Sequence, residues 1–244
     1  MTTPVVLFHG FIGTLDVIDL DGAHAAPDLL GYGAERAVPF DAISLPEQVE
    51  YVRAFIDERF GATQVDVVGH SVGGAIAMLL AHTHPRYVRK LVNVEGNFTL
   101  DDAFWSASVG RMSAVEADAM MDGFRQDPRA WLGAAIARPT EEMFETATRW
   151  LDFQPASTLR AMGQSVVTTT GHDGYLDVAA AVFESHPVYL IAGEHSRDGW
   201  NVPAWALARC AGYQTIAGCG HLMMLEDPEA FAASIRRCLR EVDS

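Results

Sequence analysis

The run of residues around Ser71 constrains the fold more than any other part of the sequence. A β-rich segment, residues 64–68, ends in Gly69-His70-Ser71-Val72-Gly73, and a nearly all-apolar segment, residues 75–82, follows it. A buried strand that passes directly into a buried helix is typical of a parallel sheet with helices packed on it. Small residues two positions before and after the serine allow a tight strand-to-helix turn.

The same alternation of strands and helices recurs along the chain. Ser44-Leu45-Pro46-Glu47 is a capping box that opens a helix extending to residue 60, and Asp227-Pro228 opens the last helix. The periodicity predicts strands at residues 5–8, 23–27, 64–68, 89–94, 187–192 and 213–216, and further helices at residues 15–20, 75–82 and 203–209. This order predicts an α/β fold, with a parallel sheet of about six strands covered by helices on both faces.

The alternation is interrupted after residue 97. Helix starts follow one another at Ser113, Asp127 and Thr140. We therefore expect a helical lid at residues 98–170, inserted into a core formed by residues 1–97 and 171–244. Large apolar side chains are frequent in this segment, and we expect six of them to line a substrate pocket: Phe104, Trp105, Met112, Met121, Phe124 and Trp131. The alternative is that most of these side chains form the lid's own core.

Ser71 and His221 are the candidate catalytic residues. The tight turn raises the Ser71 hydroxyl above the carboxyl edge of the sheet and directs the Val72 N–H at a developing oxyanion. A serine is a weak nucleophile until a base takes its proton. Among the nine histidines, we assign this role to His221, which follows a late strand in the loop Gly218-Cys219-Gly220 and precedes the last helix.

Further motifs give the chain its resemblance to the α/β-hydrolase fold superfamily. His9-Gly10-Phe11 resembles the oxyanion loop of that family, which implies that the Phe11 N–H is a second oxyanion donor beside Val72. Residues 28–33 resemble the family's D-x-x-G-x-G loop, and residues 221–228 resemble its C-terminal signature. Family members usually have two antiparallel strands before the HG strand, so the resemblance implies a sheet that lacks the first two strands. It also predicts that residues 23–27 form one edge of the sheet.

Two carboxylates compete for the role of the triad acid, which orients the histidine. Many relatives carry an Asp in a G-x-x-D pattern after the seventh family strand. Here Ser196 occupies that position, and Asp198 follows it. In some haloalkane dehalogenases and a mycotoxin lactonase of this fold, the acid is a Glu after the strand that follows the elbow helix, a position that Glu95 resembles. We favour Glu95 and keep Asp198 as the alternative; Glu95 also suits a helix cap or lid hinge.

An activated serine, two oxyanion donors and an apolar lid predict acyl transfer through an acyl-enzyme that water resolves. We expect a serine esterase or lactonase that acts on a small lipophilic substrate. Thioester hydrolysis would use the same residues, but the lid lacks the basic mouth that a coenzyme A substrate would favour. A lyase or a ligand receptor on the same scaffold is a further alternative. The sequence implies no cofactor and no metal, because it has no G-x-G-x-x-G after a strand and no H-E-x-x-H.

Composition disfavours several classes of partner. The chain has 17 Lys and Arg against 32 Asp and Glu, a formal net charge of −15, which disfavours nucleic acid and anionic membranes. The N-terminus lacks a basic start, and no segment approaches the roughly 20 apolar residues of a membrane span. Three cysteines without metal-like spacing argue against a disulfide framework. We therefore expect a cytoplasmic protein, and an uncovered sheet edge suits either a monomer or a homodimer.

Overall fold

A computed structural model describes residues 3–16, 18–20, 22–61 and 63–240. Its strands are β1 (Val5–Phe8), β2 (His24–Ala25), β3 (Val65–His70), β4 (Val88–Val94), β5 (Val188–Gly193) and β6 (Gly212–Ile216). They form one sheet of six parallel strands in the order β2-β1-β3-β4-β5-β6. The predicted α/β class and strand number are confirmed. The strand predicted at residues 23–27 is shorter than expected, but it does form one edge of the sheet beside β1.

Helices cover both faces of this sheet. The core helices are α1 (Leu45–Phe60), α2 (Val72–Thr83), α8 (Tyr175–Ser185), α9 (Ala204–Arg209), α10 (Met223–Glu226) and α11 (Pro228–Arg240). Every residue of β1, β3 and β5 is buried. Because successive side chains of a strand point to opposite faces, this burial requires cover on both sides. α2 packs against β1, β3 and β4, with α1 and α8 beside it, and α11 packs against β4 and β6.

A helical insertion separates β4 from α8. It consists of α3 (Phe104–Gly110), α4 (Ala114–Gln126), α5 (Pro128–Ala135), α6 (Glu141–Asp152) and α7 (Ala156–Thr169). α7 packs against α3, α4 and α1, so it joins the insertion to the core. The three predicted helix starts are confirmed, because the side chains of Ser113, Asp127 and Thr140 each accept a hydrogen bond from a backbone N–H three residues later.

The helix predicted at residues 15–20 is wrong. Val17 lies outside the described residues, and the rest of this segment forms bends and a turn without helical hydrogen bonding. Leu15, Ile18 and Leu20 are nevertheless buried. The segment must run back between the parallel strands β1 and β2, and a non-helical backbone covers about twice the distance per residue that a helix covers. The apolar residues of this segment therefore anchor a loop in the core, and their spacing does not indicate a helix.

Two expectations concern membranes and disulfides. Among the helices of the described ranges, none is long and apolar enough to cross a membrane. Within the described ranges, none of Cys210, Cys219 and Cys238 forms a disulfide.

Candidate active site

Ser71 lies on a sharp turn between β3 and α2. Its backbone has φ 54° and ψ −122°, a conformation that costs a non-glycine residue about 1–3 kcal/mol. The turn depends on neighbours without side chains. A Cβ on Gly69 would overlap the carbonyl oxygen of Gly73, and a Cβ on Gly73 would overlap the carbonyl oxygen of Phe8. The two glycines thus let the strand and the helix approach closely enough to present the Ser71 hydroxyl at the carboxyl edge of the sheet.

Gly73→Ala is expected to lower the free energy of unfolding by about 1–3 kcal/mol, because the added methyl meets backbone atoms that cannot rotate away. Gly133→Ala on α5 is the matched control, since a Cβ there has no neighbour within 4 Å and alanine favours the helix by up to about 1 kcal/mol. Urea unfolding of the two variants checks this. Equal midpoints for wild type and Gly73→Ala would contradict the close approach.

The N–H groups of Val72 and Phe11 are the candidate oxyanion donors. Val72 is the first residue of α2, so its N–H has no partner within the helix. Phe11 follows β1 in a loop where a Cβ on Gly10 would lie 3.1 Å from Ser71 Cβ. Within the described part of the chain, the Phe11 N–H donates no hydrogen bond, while its carbonyl oxygen accepts one from the Tyr32 hydroxyl at 3.2 Å. Among the residues that the structure describes, neither N–H group thus has a hydrogen-bond partner.

Glu95 supplies the carboxylate that contacts His221. Glu95 Oε2 lies 2.6 Å from His221 Nδ1, and the Glu95 side chain is 3% exposed whereas that of His221 is 45% exposed. Glu95 directly follows β4 and has φ 43°. Ser71 and Glu95 are the two non-glycine residues of the described chain with positive φ. Backbone strain concentrates at functional sites, and here it falls on two members of the candidate triad.

Asp198, the alternative acid, lies outside this arrangement. Its side chain is 96% exposed and its ion-pair partner is Arg197, at 3.6 Å. Ser196 instead donates from Oγ to Glu95 Oε1 at 2.6 Å, and the Gly193 N–H donates to the same oxygen at 2.9 Å. The structure thus joins Ser196, Glu95 and His221 in one chain of hydrogen bonds.

His70, the variable residue of the elbow motif, holds the loop that carries His221. His70 Nε2 lies 2.9 Å from the carbonyl oxygen of His221, so this ring nitrogen is the one that donates. Burial lowers the pKa of His70 well below its usual value, which keeps the ring neutral with its single proton on Nε2. The motif alone gives no sign of this contact, because any residue type fits its second position.

Two carboxylates hold the same loop from its other side. The Gly218 N–H donates to Glu194 Oε2 and the Gly220 N–H donates to Glu226 Oε1, each at 2.7 Å. Burial raises the pKa of the Glu226 carboxyl. His221 is therefore carried on a glycine-rich loop that is fixed at several backbone positions.

Two cavities meet at Ser71 and His221. They share a wall formed by Phe11, Phe104 and Trp105. The larger cavity, about 660 Å³, is otherwise lined mainly by apolar side chains, including Ile12, Phe124, Ala130, Trp131, Ala134 and Leu222. The smaller cavity, about 270 Å³, is more polar, and its wall includes Asn97, Asp102, Ser106, Ser196 and Trp200. The cleft thus has one largely apolar part and one part with more polar side chains in its wall, and Ser71 lines both.

The six predicted pocket residues divide into two groups. Phe104, Trp105, Phe124 and Trp131 line the larger cavity, whereas Met112 and Met121 line neither. Met121 is fully buried on α4, one turn after the buried Ala117, and α4 packs against α7. Met112 is partly buried against the hydrophobic core. These two methionines therefore lie away from the two cavities that meet at Ser71, contrary to the expectation.

The site offers no cluster of metal ligands. Among the residues in the described ranges, no three His, Cys, Asp or Glu side chains converge as they would around a metal ion. The groups available for chemistry are the side chains of Ser71, His221 and Glu95 and the N–H groups of Phe11 and Val72.

Sequence comparisons identify the family. The family model described as the alpha/beta hydrolase family matches residues 5–234. A 2-hydroxymuconate semialdehyde hydrolase from Pseudomonas putida is 40% identical over 232 residues, which cover 90% of this chain and 77% of that protein. Lipase 1 from Psychrobacter immobilis is 34% identical over 114 residues, which cover 43% of this chain and 34% of the lipase.

A solved structure agrees with this assignment. A thermophilic esterase from Thermogutta terrifontis matches with a TM-score of 0.76 over 100% of this chain and 92% of that one. At 18% identity, this likeness concerns the fold alone. The two sequence relatives are hydrolases by name, which supports hydrolase activity for this chain. The extent of the family match and of the relative from Pseudomonas putida shows that the chain belongs to the alpha/beta hydrolase family.

Proposed function

We propose that this chain is a serine hydrolase that cleaves a small carboxylic ester or lactone with a largely apolar body. The observation that carries the proposal is the contact between His221 Nδ1 and the buried Glu95 carboxylate, at 2.6 Å, where two cavities meet at the strained Ser71. A serine, a histidine and a carboxylate that act together serve acyl transfer on several unrelated folds.

The first half of the reaction forms an acyl-enzyme. Because Nδ1 of His221 is engaged by Glu95, Nε2 is free to take the proton of the Ser71 hydroxyl. Ser71 Oγ attacks the carbonyl carbon, and the N–H groups of Phe11 and Val72 stabilise the resulting oxyanion. The bond to the alcohol oxygen then breaks, and the alcohol leaves with the proton held by His221.

The second half returns the enzyme to its starting state. His221 takes a proton from water, the hydroxide attacks the acyl carbon, and the carboxylic acid is released as Ser71 recovers its proton. Glu95 keeps its negative charge in both halves and stabilises the imidazolium that forms each time. Its burial excludes water from this contact and strengthens the interaction.

We also propose that residues 98–170 act as a lid over this site. Trp105, Phe124 and Trp131 of the insertion and Ser71 and His221 of the core line the same cavity. A substrate in this cavity is therefore enclosed by both parts of the chain. The apolar wall contributed by the insertion favours an apolar acyl or alcohol group.

A second candidate substrate comes from the relative in Pseudomonas putida, which by name acts on 2-hydroxymuconate semialdehyde. A semialdehyde of a dicarboxylic acid carries a carboxylate, for which Arg or Lys is the usual partner. Within the described residues, neither cavity is lined by Lys or Arg. We therefore place a neutral ester or lactone first. Faster conversion of 2-hydroxymuconate semialdehyde than of any ester would reverse this order.

A fluorophosphonate probe tests the proposed nucleophile. We expect covalent labelling of the wild-type protein at Ser71, none in Ser71→Ala, and full labelling in Ser185→Ala, whose hydroxyl donates to the carbonyl oxygen of Ala181 on α8. A burst of p-nitrophenol from p-nitrophenyl butyrate should accompany the labelling. A folded protein that stays unlabelled and inactive on a panel of esters and lactones would instead favour a lyase or a ligand receptor.

Ser196→Ala is expected to lower kcat about 10-fold, with little change in KM, because Glu95 Oε1 loses one of its two donors and the carboxylate is less firmly oriented toward His221. Steady-state kinetics on an ester accepted by the wild type measures the split between kcat and KM. Ser196→Thr, which keeps a hydroxyl, should recover most of kcat. An unchanged kcat in Ser196→Ala would show that the Gly193 N–H alone suffices to place Glu95.

A further inference from the structure

We propose that the smaller cavity binds a hydroxyl group of the substrate and that Asp102 determines this specificity by accepting its hydrogen bond. The inference rests on the proposed ester hydrolysis at Ser71 and goes beyond it, because it states what the polar part of the cleft selects. The polar wall consists of Asn97, Asp102, Ser106, Ser196 and Trp200.

The hydrogen-bond donors of this wall are already engaged by protein acceptors. The Ser196 hydroxyl donates to Glu95 Oε1 at 2.6 Å. The Ser106 hydroxyl donates to the carbonyl oxygen of Ala103 at 3.0 Å, and the Trp200 indole N–H donates to the carbonyl oxygen of Gly96 at 2.9 Å. A ligand that brings only acceptors therefore finds few donors here besides the oxyanion N–H groups.

The Asp102 carboxylate in this wall can accept a further hydrogen bond. Asp102 Oδ2 accepts from the Phe98 N–H at 3.0 Å and Oδ1 accepts from the Thr99 N–H at 3.2 Å. The side-chain amide of Asn97 donates to the same carboxylate, which leaves about one of the four lone-pair sites of an ionised carboxylate. Asn97 is 4% exposed and lines the same cavity. Within the described part of the chain, its Oδ1 has no hydrogen-bond partner, but this atom has almost no accessible surface, so Asn97 acts on the cavity through its contact with Asp102.

The charge of the cavity disfavours the other kinds of substituent. Burial raises the pKa of Asp102 to about 6, so the group is mainly ionised at pH 7.5, and Glu95 lies in the same wall. An anionic substituent would meet these carboxylates without a balancing Lys or Arg in the wall. A methyl group would desolvate Asp102 without replacing its water, and a site with buried polar groups rejects such an analogue. A hydroxyl satisfies the carboxylate.

The volumes of the two cavities indicate which kind of ester would fit the site. A cavity of about 660 Å³ admits the bulky apolar part, and one of about 270 Å³ admits a short chain of a few heavy atoms. The substrate class is therefore an ester in which one side is bulky and apolar and the other is short and hydroxylated. Esters of a short diol and esters of a short hydroxy acid both meet this description.

Two pairs of esters test the inference. In n-propyl and 2-hydroxyethyl 3-phenylpropanoate, a hydroxyl replaces a methyl on the alcohol side. In 2-phenylethyl butanoate and 2-phenylethyl 3-hydroxypropanoate, the same replacement is made on the acyl side. For one of the two pairs we expect kcat/KM of the wild type to favour the hydroxylated ester by about 10- to 100-fold, as a hydrogen bond to a charged group does.

Asp102→Asn is expected to reduce this preference to about 3-fold or less, because the charged acceptor is lost. Asp101→Asn removes the same charge from the exposed neighbouring residue and should keep the preference. The ratio is measured within one protein preparation, so it does not depend on the folded fraction. Asn97→Ala, which removes a side chain that orients Asp102 through a hydrogen bond, should lower the same ratio and serves if Asp102→Asn does not fold.

The outcomes separate the two proposals. Hydrolysis of the apolar esters without any hydroxyl preference in either pair would overturn the inference and leave the proposed function standing. A preference that survives in both Asp102→Asn and Asn97→Ala would also overturn it. Failure of all four esters, together with an unlabelled Ser71, would overturn the proposed function and the inference with it.

Discussion

Replacing Glu95 by glutamine is expected to lower kcat by about 10⁴-fold, as loss of the carboxylate does in other serine triads. The glutamine amide fits the same space, and its oxygen still accepts from the Gly193 N–H and the Ser196 hydroxyl. Its NH₂ group then faces His221 Nδ1, which lies 2.6 Å from the carboxylate in the wild type. The imidazole proton moves to Nε2, and His221 can no longer accept the proton of Ser71.

Asp198→Asn is the matched control for Glu95→Gln. Both variants remove one carboxylate in favour of its amide, but Asp198 is 96% exposed and contacts Arg197, so its kcat should stay near the wild-type value. Steady-state rates on p-nitrophenyl butyrate compare the two, and near-ultraviolet circular dichroism checks that both are folded. If Glu95→Gln kept nearly the wild-type kcat and Asp198→Asn were inactive, the triad acid would instead be Asp198, in the loop after β5.

The pairing of β4 and β5 explains why two positions could supply the carboxylate that contacts His221. β4 and β5 are paired in parallel, so their carboxyl ends lie side by side at the edge where His221 arrives. A carboxylate at either end is therefore within reach of the histidine. In this chain Glu95 at the end of β4 contacts His221 at 2.6 Å, and Ser196 after β5 donates to Glu95 at 2.6 Å. Ser196, at the position where many relatives carry an Asp, therefore orients the Glu95 carboxylate through a hydrogen bond.

Features determined by local interactions were predictable from the sequence. The buried strands appear as short apolar runs, and the helix starts at Ser113, Asp127 and Thr140 depend on contacts three residues apart. The elbow is equally local, because Gly69 and Gly73 are required by the turn that holds Ser71. The order of the strands in the sheet was not predicted, apart from the edge position of residues 23–27 beside β1.

Features that depend on distant contacts were not determined by sequence reasoning. Glu95 and His221 are separated by 126 residues, so the choice between Glu95 and Asp198 rested on resemblance. Nothing in the spacing of apolar residues distinguishes Phe124, which lines the larger cavity, from Met121, which is buried in the insertion. The place of Asp102 in the wall of the smaller cavity was not predicted, because an Asp near a helix start is most often a cap.

Ser71→Ala is expected to lower kcat by about 10⁶-fold, because the acyl-enzyme can no longer form. Adding His221→Ala to this variant should cost almost nothing further. A base without a hydroxyl to deprotonate contributes little, so residues that act as one unit give strongly non-additive losses. Rates of the single and double variants on p-nitrophenyl butyrate, measured at high enzyme concentration, give this comparison directly.

The size of the second loss decides how the two residues act. If His221→Ala alone is as damaging as Ser71→Ala and the double variant is no worse than either, the two side chains perform a single step. A double variant with a further loss of about 100-fold would mean that His221 activates water without Ser71. The residual reaction would then be direct attack by water on a substrate held in the two cavities. The strained backbone of Ser71, at φ 54°, is expected where the serine itself reacts. The retention of that strain in the folded chain therefore favours the shared step.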